Sequence, residues 1–296
     1  MGRNLIVYYE AWPRLRKSFQ AILGKLLIIR RVLTLIMTSF DDLLGKNILI
    51  TGASGGIGAC MAEEFSNNGA NVGIHYCQSK EQAETIRNKI IAMGKKAKLF
   101  QADLNKQGTQ SQLIGRFVES FGSIDILINN AGAVYEYEHF SKLTTQACND
   151  TFFLNAISPF FLISSAFENM EKNENGGRVI NVSSASVGYG SSSHGIHYSA
   201  AKAALESMTL GFSKAGAIKK IHVNAIRCGV INTDMHSKIK GYNRQKFQER
   251  IQKVPLKRVG EPIDIARMAL FLASKFILGI SSKNSVKTSS QGESSM

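Results

Sequence analysis

The tyrosine and lysine of "HGIHYSAAKAALESM", His194 to Met208, stand four residues apart in a segment rich in Ala, Leu, Lys and Glu. Such residues favour helix, and residues four apart on a helix share a face, so Tyr198 and Lys202 can share one site. A free phenol ionises near pH ~10. An ammonium a few ångströms away favours the phenolate and lowers that value. A tyrosine tuned this way can give a proton to a carbonyl oxygen or take one from an alcohol. The same spacing also suits a surface tyrosine above a solvated lysine, so the chemistry needs corroboration elsewhere in the chain.

A second cluster, "TGASGGIG" (51–58), follows the short run "KNILIT" and opens a helical pattern from Ile57 to Asn67. Gly52, Gly56 and Gly58 permit a tight turn and let the backbone approach a pyrophosphate at a helix N-terminus. Its place between a first strand and a first helix points to a dinucleotide.

The elements that must position these residues alternate regularly. "NVGIHY" (71–76) reads as a second strand, followed by an amphipathic helix, "EQAETIRNKIIAMG" (81–94). "AKLFQADL" gives a third strand, with a helix predicted from Lys106 to Phe121. "DILINNAG" (125–132) is a fourth strand with a polar end, and a long helix is predicted over Thr151 to Lys172. "RVINVSS" (178–184) and "IHVNAIR" (221–227) complete six strands. Alternating strands and helices pair in parallel through right-handed crossovers. The expected fold class is therefore α/β, a doubly wound parallel sheet of Rossmann type in a single domain. Its ligand belongs at the carboxyl ends of the strands.

Composition fits that reading. The chain has 296 residues, 44% hydrophobic and 20% charged, as expected of one large globular domain. Cys60, Cys77, Cys148 and Cys228 lie far apart with no C-x-x-C pairing. That argues against zinc or a disulfide framework and fits a reducing, cytoplasmic compartment. Cys228 reads as a buried bystander. The net charge of +14 is unevenly placed: seven basic residues against one acid fall in 1–36 and three against one in 275–296, leaving +6 for 37–274. A core so mildly basic argues against nucleic acid as the partner.

Three segments follow, 1–36, 37–274 and 275–296. In the first, Lys25, Arg30 and Arg31 interrupt "AILGKLLIIRRVLTLIM", so no uncharged run of ~18 residues exists to span a bilayer. It also lacks the cleavage site of a secretory signal. It reads as a basic segment lying on a membrane surface, or as sequence upstream of a natural start at Met37; the second is preferred.

With the glycine turn, "NNAG", "NVSS" and Tyr-x-x-x-Lys in order along one chain, residues ~43–274 resemble the short-chain dehydrogenase/reductase family. The pattern is nearest to its glucose dehydrogenase and 3-oxoacyl-carrier-protein reductase-like members. The resemblance implies hydride transfer between a nicotinamide and a carbonyl or alcohol of a small molecule. It implies Tyr198 as proton donor and acceptor, with Lys202 lowering its pKa and holding the nicotinamide ribose. A serine at the end of the fifth strand would hold the substrate oxygen, and Asn155 in "FLNAISPFFL" would anchor a water-linked proton relay. "NVSSAS" offers Ser183, Ser184 and Ser186. The family's usual offset of thirteen lands on Ala185, whereas Ser184, fourteen residues before Tyr198, fits the second serine of the "N-[IV]-S-S" pattern. Ser184 is therefore expected to be the one.

For the cofactor the resemblance implies Gly52, Ser54, Gly56, Ile57 and Gly58 in the turn, and Tyr76, Ser79 and Lys80 after the second strand. It adds Asp103 and Leu104 at the adenine, then Asn130, Ala131 and Gly132, then Gly229, Ile231 and Thr233, beside Tyr198 and Lys202. Asn129 and Asn130 are expected to brace the sheet and the adenosine side. Members that prefer NAD usually carry an aspartate at the end of the second strand, where this chain has Tyr76 and then Cys77, Gln78, Ser79 and Lys80. NADP is therefore expected over NAD, although Gly55 stands where the usual loop arginine would be. No metal is expected.

The chain departs from the family at two places. Cys228-Gly229 replaces the usual Pro-Gly. After "RVGEPIDIARMALFLAS" (258–274), which matches the last helix, the family's final strand and its "DGG" ending are missing. A Ser- and Lys-rich tail stands there, expected to be disordered after about Ile280. The homo-oligomer usual for the family would lose part of its interface. Two functions remain open, an active oxidoreductase and a catalytically impaired dinucleotide-binding remnant or sensor. Residues 134–142 and 234–257 are expected to line the substrate pocket.

Overall fold

In the computed structural model, which describes residues 40–234, 244–252, 254, 256–277 and 286–287, strands and helices alternate from the first glycine turn onward. β1 (Asn47–Ile50) leads into α1 (Gly56–Asn67), β2 (Asn71–Tyr76) into α2 (Lys80–Ala92), and β3 (Ala97–Gln101) into α3 (Thr109–Phe121). β4 (Ile126–Asn129), α4 (Thr145–Phe152), α5 (Ser158–Met170) and β5 (Gly177–Ser184) follow. α6 (Ile196–Gly216), β6 (Ile221–Cys228), α7 (Arg244–Gln252), α8 (Pro262–Ala273) and β7 (Val286–Lys287) complete the order. The segment 1–36 lies outside the described residues.

The strands form one parallel sheet in the order β3-β2-β1-β4-β5-β6-β7. The chain runs outward from β1 to β3, crosses back to β4 and runs outward the other way. The order thus reverses between β1 and β4, and a crevice opens beyond their carboxyl ends. The two central strands are buried along their whole length, as their unbroken apolar runs require when helices cover both faces. On one face Phe100, Phe117 and Phe121 pack with centroid separations of 4.8 to 6.2 Å, beside Leu113, Ile114 and Leu127. At the far end α8 starts on a reciprocal cap between Glu261 and Asp264, with Pro262 in its first turn.

Three expectations need correction. The helix predicted over Thr151 to Lys172 is two α-helices, α4 and α5, joined by one π-helical turn, Phe153–Ile157. Pro159 falls in the first turn of α5, where its missing N–H costs least. The third helix begins at Thr109, after Gly108, rather than at Lys106. A final strand, expected to be missing, is present in part: Val286 and Lys287 pair in parallel with Ile226 and Arg227 of β6. The rest of the tail expected to be disordered after about Ile280 lies outside the described residues. Six strands of ordinary length are thus followed by one of two residues, at the edge where a final strand was expected to be missing. Before it, the N–H of Lys275 donates to Asp42 Oδ2 at 2.6 Å, tying the end of α8 to the 3-10 turn Asp41–Leu43. The stretch Thr145–Met170 is apolar and long enough to cross a membrane, but half of its apolar window is buried within the protein.

The aromatic trio yields a stability prediction. Phe117 is fully buried at its centre, so Phe117→Ala should lower the unfolding free energy by about 3–5 kcal/mol. Urea unfolding followed by far-UV circular dichroism measures this. A loss under about 1 kcal/mol would mean that the site collapses around the smaller side chain.

Candidate active site

The turn after β1 is held from both sides. Thr51 Oγ1 donates to the Ile128 carbonyl at 3.2 Å and accepts the N–H groups of Asn130 and Ala131, each at 3.0 Å. Asn130 Nδ2 in turn donates to the carbonyls of Thr51 (2.9 Å) and Gly52 (3.1 Å). Gly52 and Gly56 have φ of 63° and 54°, in the left-handed region. A Cβ on Gly58 would collide with the Gly52 carbonyl oxygen and lie 2.6 Å from Asn130 Nδ2. Only glycine lets α1 start this close to the turn. No side chain caps α1, which leaves its first N–H groups available to an anion. Ser54 and Ile57 lie half-buried in the same turn. Thr233 packs against it, its Cγ2 lying 3.3 Å from where a Gly56 Cβ would be. A bridge between Ile231 and Gly260 anchors the segment after Gly229 that carries Thr233.

At the other end of the crevice, Asp103 Oδ1 accepts the N–H of Asn105 at 3.0 Å. Because α3 starts at Thr109, Asp103 is not its cap. Leu104 is buried beside it. Tyr76, the last residue of β2, is also buried. Ser79 precedes α2 without capping it. Lys80 sits exposed, 3.9 Å from Glu84 one turn on, a pairing too weak to hold it.

The sequence reading missed His75. Its Nδ1 accepts the N–H of Gly52 at 3.0 Å, and Nε2 contacts the Ala102 carbonyl at 3.1 Å. Burial, helped by the charge of Arg116 and opposed by the Ala102 bond, pushes its pKa down to about 4. A histidine at an otherwise apolar strand position, beside a glycine turn, was the available signal.

Asn155 lies inside the π turn, fully buried. Its Nδ2 donates to the carbonyls of Ala133 and Thr151, both at 2.8 Å. Its Oδ1 is buried without a partner. Lys202, 3% exposed, donates from Nζ to the Val182 carbonyl at 2.8 Å. The two side chains meet over Gly132, where an added Cβ would lie 2.7 Å from Asn155 Oδ1 and 3.3 Å from Lys202 Nζ. The ammonium also sits 5.8 Å from the centre of the half-buried Tyr198 ring. Burial lowers the Lys202 pKa to about 8, against a small raising effect from Cys228. Burial likewise pushes the Cys228 thiol up to about 12, with Lys202 acting the other way.

Alternation along β5 separates the serines. Ser183 is buried and donates to Glu206 Oε1 at 2.6 Å, and Glu206 is clamped by Arg227 through Nε (2.8 Å) and Nη2 (2.6 Å). Ser184 instead accepts from the N–H (3.2 Å) and hydroxyl (2.9 Å) of Ser186. Those bonds leave its own proton for a ligand. Ser186, itself buried, is held through its carbonyl by Ser199 Oγ at 2.8 Å.

Deeper in the sheet, Asn129 Nδ2 donates to Asn181 Oδ1 and Asn181 Nδ2 to Thr209 Oγ1, each at 2.8 Å. This chain fastens β4 and β5 to α6.

Residues 134–142 lie against the loop before α6. Tyr137 hydroxyl meets Ser192 Oγ at 2.8 Å, and the Phe140 N–H donates to the Ser193 carbonyl at 3.0 Å. Tyr137 stacks on His194 at 5.6 Å. Burial lowers the pKa of His197, the residue before Tyr198, against the opposing effect of Glu136. Of the predicted pocket residues 234–257, positions 235–243, 253 and 255 lie outside the described residues.

Comparison with known proteins decides the family. The model of the short chain dehydrogenase family matches residues 46–243. The chain belongs to that family. A short chain dehydrogenase from Claviceps purpurea (strain 20.1) is 37% identical over 239 residues, spanning 78% of this chain and 89% of the relative. Versicolorin reductase stcU of Emericella nidulans is 35% identical over 259 residues, spanning 83% and 96%. Among solved structures, angucycline C-6 ketoreductase LanV with bound NADP superposes with a TM-score of 0.74 at 31% identity, covering 81% of this chain and 92% of that one. The short chain dehydrogenase match thus begins just before β1 and stops just before α7, enclosing both ends of the crevice.

Two predictions follow from the geometry. Ser184→Ala should lower turnover without moving the thermal midpoint, whereas Ser183→Ala should lower the midpoint by freeing a buried carboxylate partner. Differential scanning fluorimetry beside a turnover assay separates them; the reverse pattern would assign the substrate contact to Ser183. The second concerns pH. The Lys202 pKa falls from 10.5 unfolded to about 8 folded, so between those values the unfolded chain holds more protons and stability rises with pH. Cys228, raised from 9.0 to about 12, acts oppositely above pH 9. Between pH 8 and 9 the nucleotide-free protein should therefore gain up to about 1.4 kcal/mol. Lys202→Met should abolish that slope in urea titrations.

Proposed function

We propose that the protein is an NADP(H)-dependent carbonyl reductase that reduces a ketone of a small, polycyclic aromatic substrate. The observation that carries this reading is the convergence over Gly132 of Lys202 Nζ and the unpartnered Asn155 Oδ1 beneath Tyr198. A nicotinamide nucleotide fits the crevice by two features: the uncapped start of α1 beside glycines that admit no Cβ, and the orphaned buried acceptor of Asn155 beside Lys202.

The turn at Gly52–Gly58 and Thr233 would hold the phosphates, Ala131 and Gly132 would line the crevice floor, and Asp103 and Leu104 would face the adenine. When bound, the nucleotide supplies the hydride. Tyr198 gives its proton to the substrate oxygen, and the Lys202 ammonium favours the phenolate left behind. Lys202 also offers its remaining protons to a ribose hydroxyl. Ser184 donates to the same substrate oxygen and orients it. Asn155 keeps its acceptor for a water or hydroxyl in line with Lys202, through which the proton on Tyr198 is replaced.

The preference for NADP rests on the end of β2, where Cys77, Gln78, Ser79 and Lys80 present no carboxylate to repel a 2′-phosphate, and on NADP in the ketoreductase relative. The substrate class rests on the names of the relatives and on the exposed aromatic rim of Tyr137, Phe140 and Tyr189. Exposed Ile157, Phe160, Phe161 and Leu210 support association with a second copy. Four free cysteines support a cytoplasmic location. The two-residue β7 favours a second reading, a remnant that binds nucleotide without turning substrate over.

Nucleotide fluorescence titration followed by a panel of aromatic ketones tests the reading. NADPH should bind more tightly than NADH, and Tyr198→Phe should bind it equally well while turnover falls by ~10²–10⁴-fold. Tight NADPH binding with no ketone or alcohol turned over by the parent would favour the remnant. Equal affinity for the two nucleotides would remove the NADP assignment.

A further inference from the structure

The Gly52 peptide is gripped from the two strands that flank β1. Its carbonyl takes the Asn130 amide from the end of β4, and its N–H gives a hydrogen bond to His75 Nδ1 from β2. The next N–H, that of Ala53, donates to the His75 backbone carbonyl at 2.8 Å. One residue therefore receives two successive N–H groups of the turn. The far side of the same imidazole contacts the Ala102 carbonyl at the end of β3, one residue before Asp103.

The tautomer is dictated by these partners. Gly52 N–H can only donate and the Ala102 carbonyl can only accept, so Nδ1 must be bare and Nε2 must carry the proton. A protonated ring would set two N–H groups against each other. The neutral ring is thus a rigid spacer of fixed length between the turn at one end of the crevice and the residues at the other.

We propose that His75 is a positioning residue for the nucleotide, fixing the Gly52 turn relative to Asp103 so that both ends of the crevice are preset before binding. The proposal rests on the nicotinamide nucleotide reading given above. A preset site binds more tightly because the ligand does not have to order it. His75 touches no reacting atom, so its loss should weaken nucleotide binding and leave the chemical step in place.

The test uses the full chain with NADPH as the probe, and three variants. His75→Leu removes both bonds at similar volume. His75→Asn keeps a donor and an acceptor on an arm too short to span the gap. Ile74→Ala, from the neighbouring fully buried position, lowers stability without touching Gly52. His75→Leu should raise the NADPH dissociation constant about ten-fold or more, the scale of an orphaned buried donor. His75→Asn should fall between it and the parent, and Ile74→Ala should match the parent. With nucleotide saturating, kcat for both His75 variants should stay within about three-fold of the parent while KM for NADPH rises, the pattern of lost binding rather than lost chemistry. In the nucleotide-free parent, the Gly52 amide should exchange slowly with solvent, and quickly in His75→Asn. If His75→Leu does not fold, His75→Asn decides by the same readings. Parent-like affinity in the folded His75 variants, or an equal loss in Ile74→Ala, would overturn the proposal. A parent that binds neither NADPH nor NADH overturns the functional reading instead.

Discussion

Lys202 carries its charge to a place where water barely reaches it, and one carbonyl, that of Val182, receives it there. A buried ammonium with a single acceptor is costly, and its lowered pKa expresses that cost. The surrounding elements make the position tolerable. β5 supplies the carbonyl, Gly132 yields the space, and the π turn brings up the bare oxygen of Asn155. The Tyr198 ring sits one helical turn away on α6. The bond to Val182 ties α6 to β5, and the close approach over Gly132 sets the π turn beside them.

That placement is backed by polar fastenings inside the sheet. The Asn129–Asn181–Thr209 chain joins β4, β5 and α6. The Ser183–Glu206–Arg227 cluster joins β5, α6 and β6 on the opposite side of β5 from Ser184. Thr51 and Asn130 do the same for β1 and β4. Each bond satisfies a group that burial would otherwise penalise. The groups left to meet a ligand therefore stand on a frame that leaves them little freedom to wander.

Strand and helix identities were legible because apolar runs and helical spacing report burial directly, and the glycine turn because its residue types admit few other conformations. The spacing of Tyr198 and Lys202 put them on one helix face, and only the other motifs in order along the chain raised that pair above a surface contact. The choice of Ser184 over Ser183 has a physical counterpart in strand alternation. The π turn was not legible: hydrophobic spacing runs on through Thr151 to Met170, and Pro159 marks only the restart. His75 was hidden for a different reason: its partners, Gly52 and Ala102, come from elsewhere in the chain, so a lone polar residue in an apolar strand does not say what it meets. The pairing of Val286 and Lys287 was masked by a Ser- and Lys-rich composition that predicts no strand, because two residues at an edge need almost no pattern of their own.

A π turn is an α-helix with one residue too many. Removing a single residue between Phe153 and Ile157 would join α4 to α5. Pro159 would then lie inside the helix, where it has no N–H to give and its ring crowds the carbonyl one turn earlier. Because the π turn absorbs its extra residue, the two flanking helices would keep their faces, but the side chains of the turn itself would be redirected, carrying the Asn155 amide away from Lys202. The extra residue therefore accommodates Pro159 and aims Asn155 at once. A helix shortened by that residue would lose both together, unless Pro159 were replaced in the same variant.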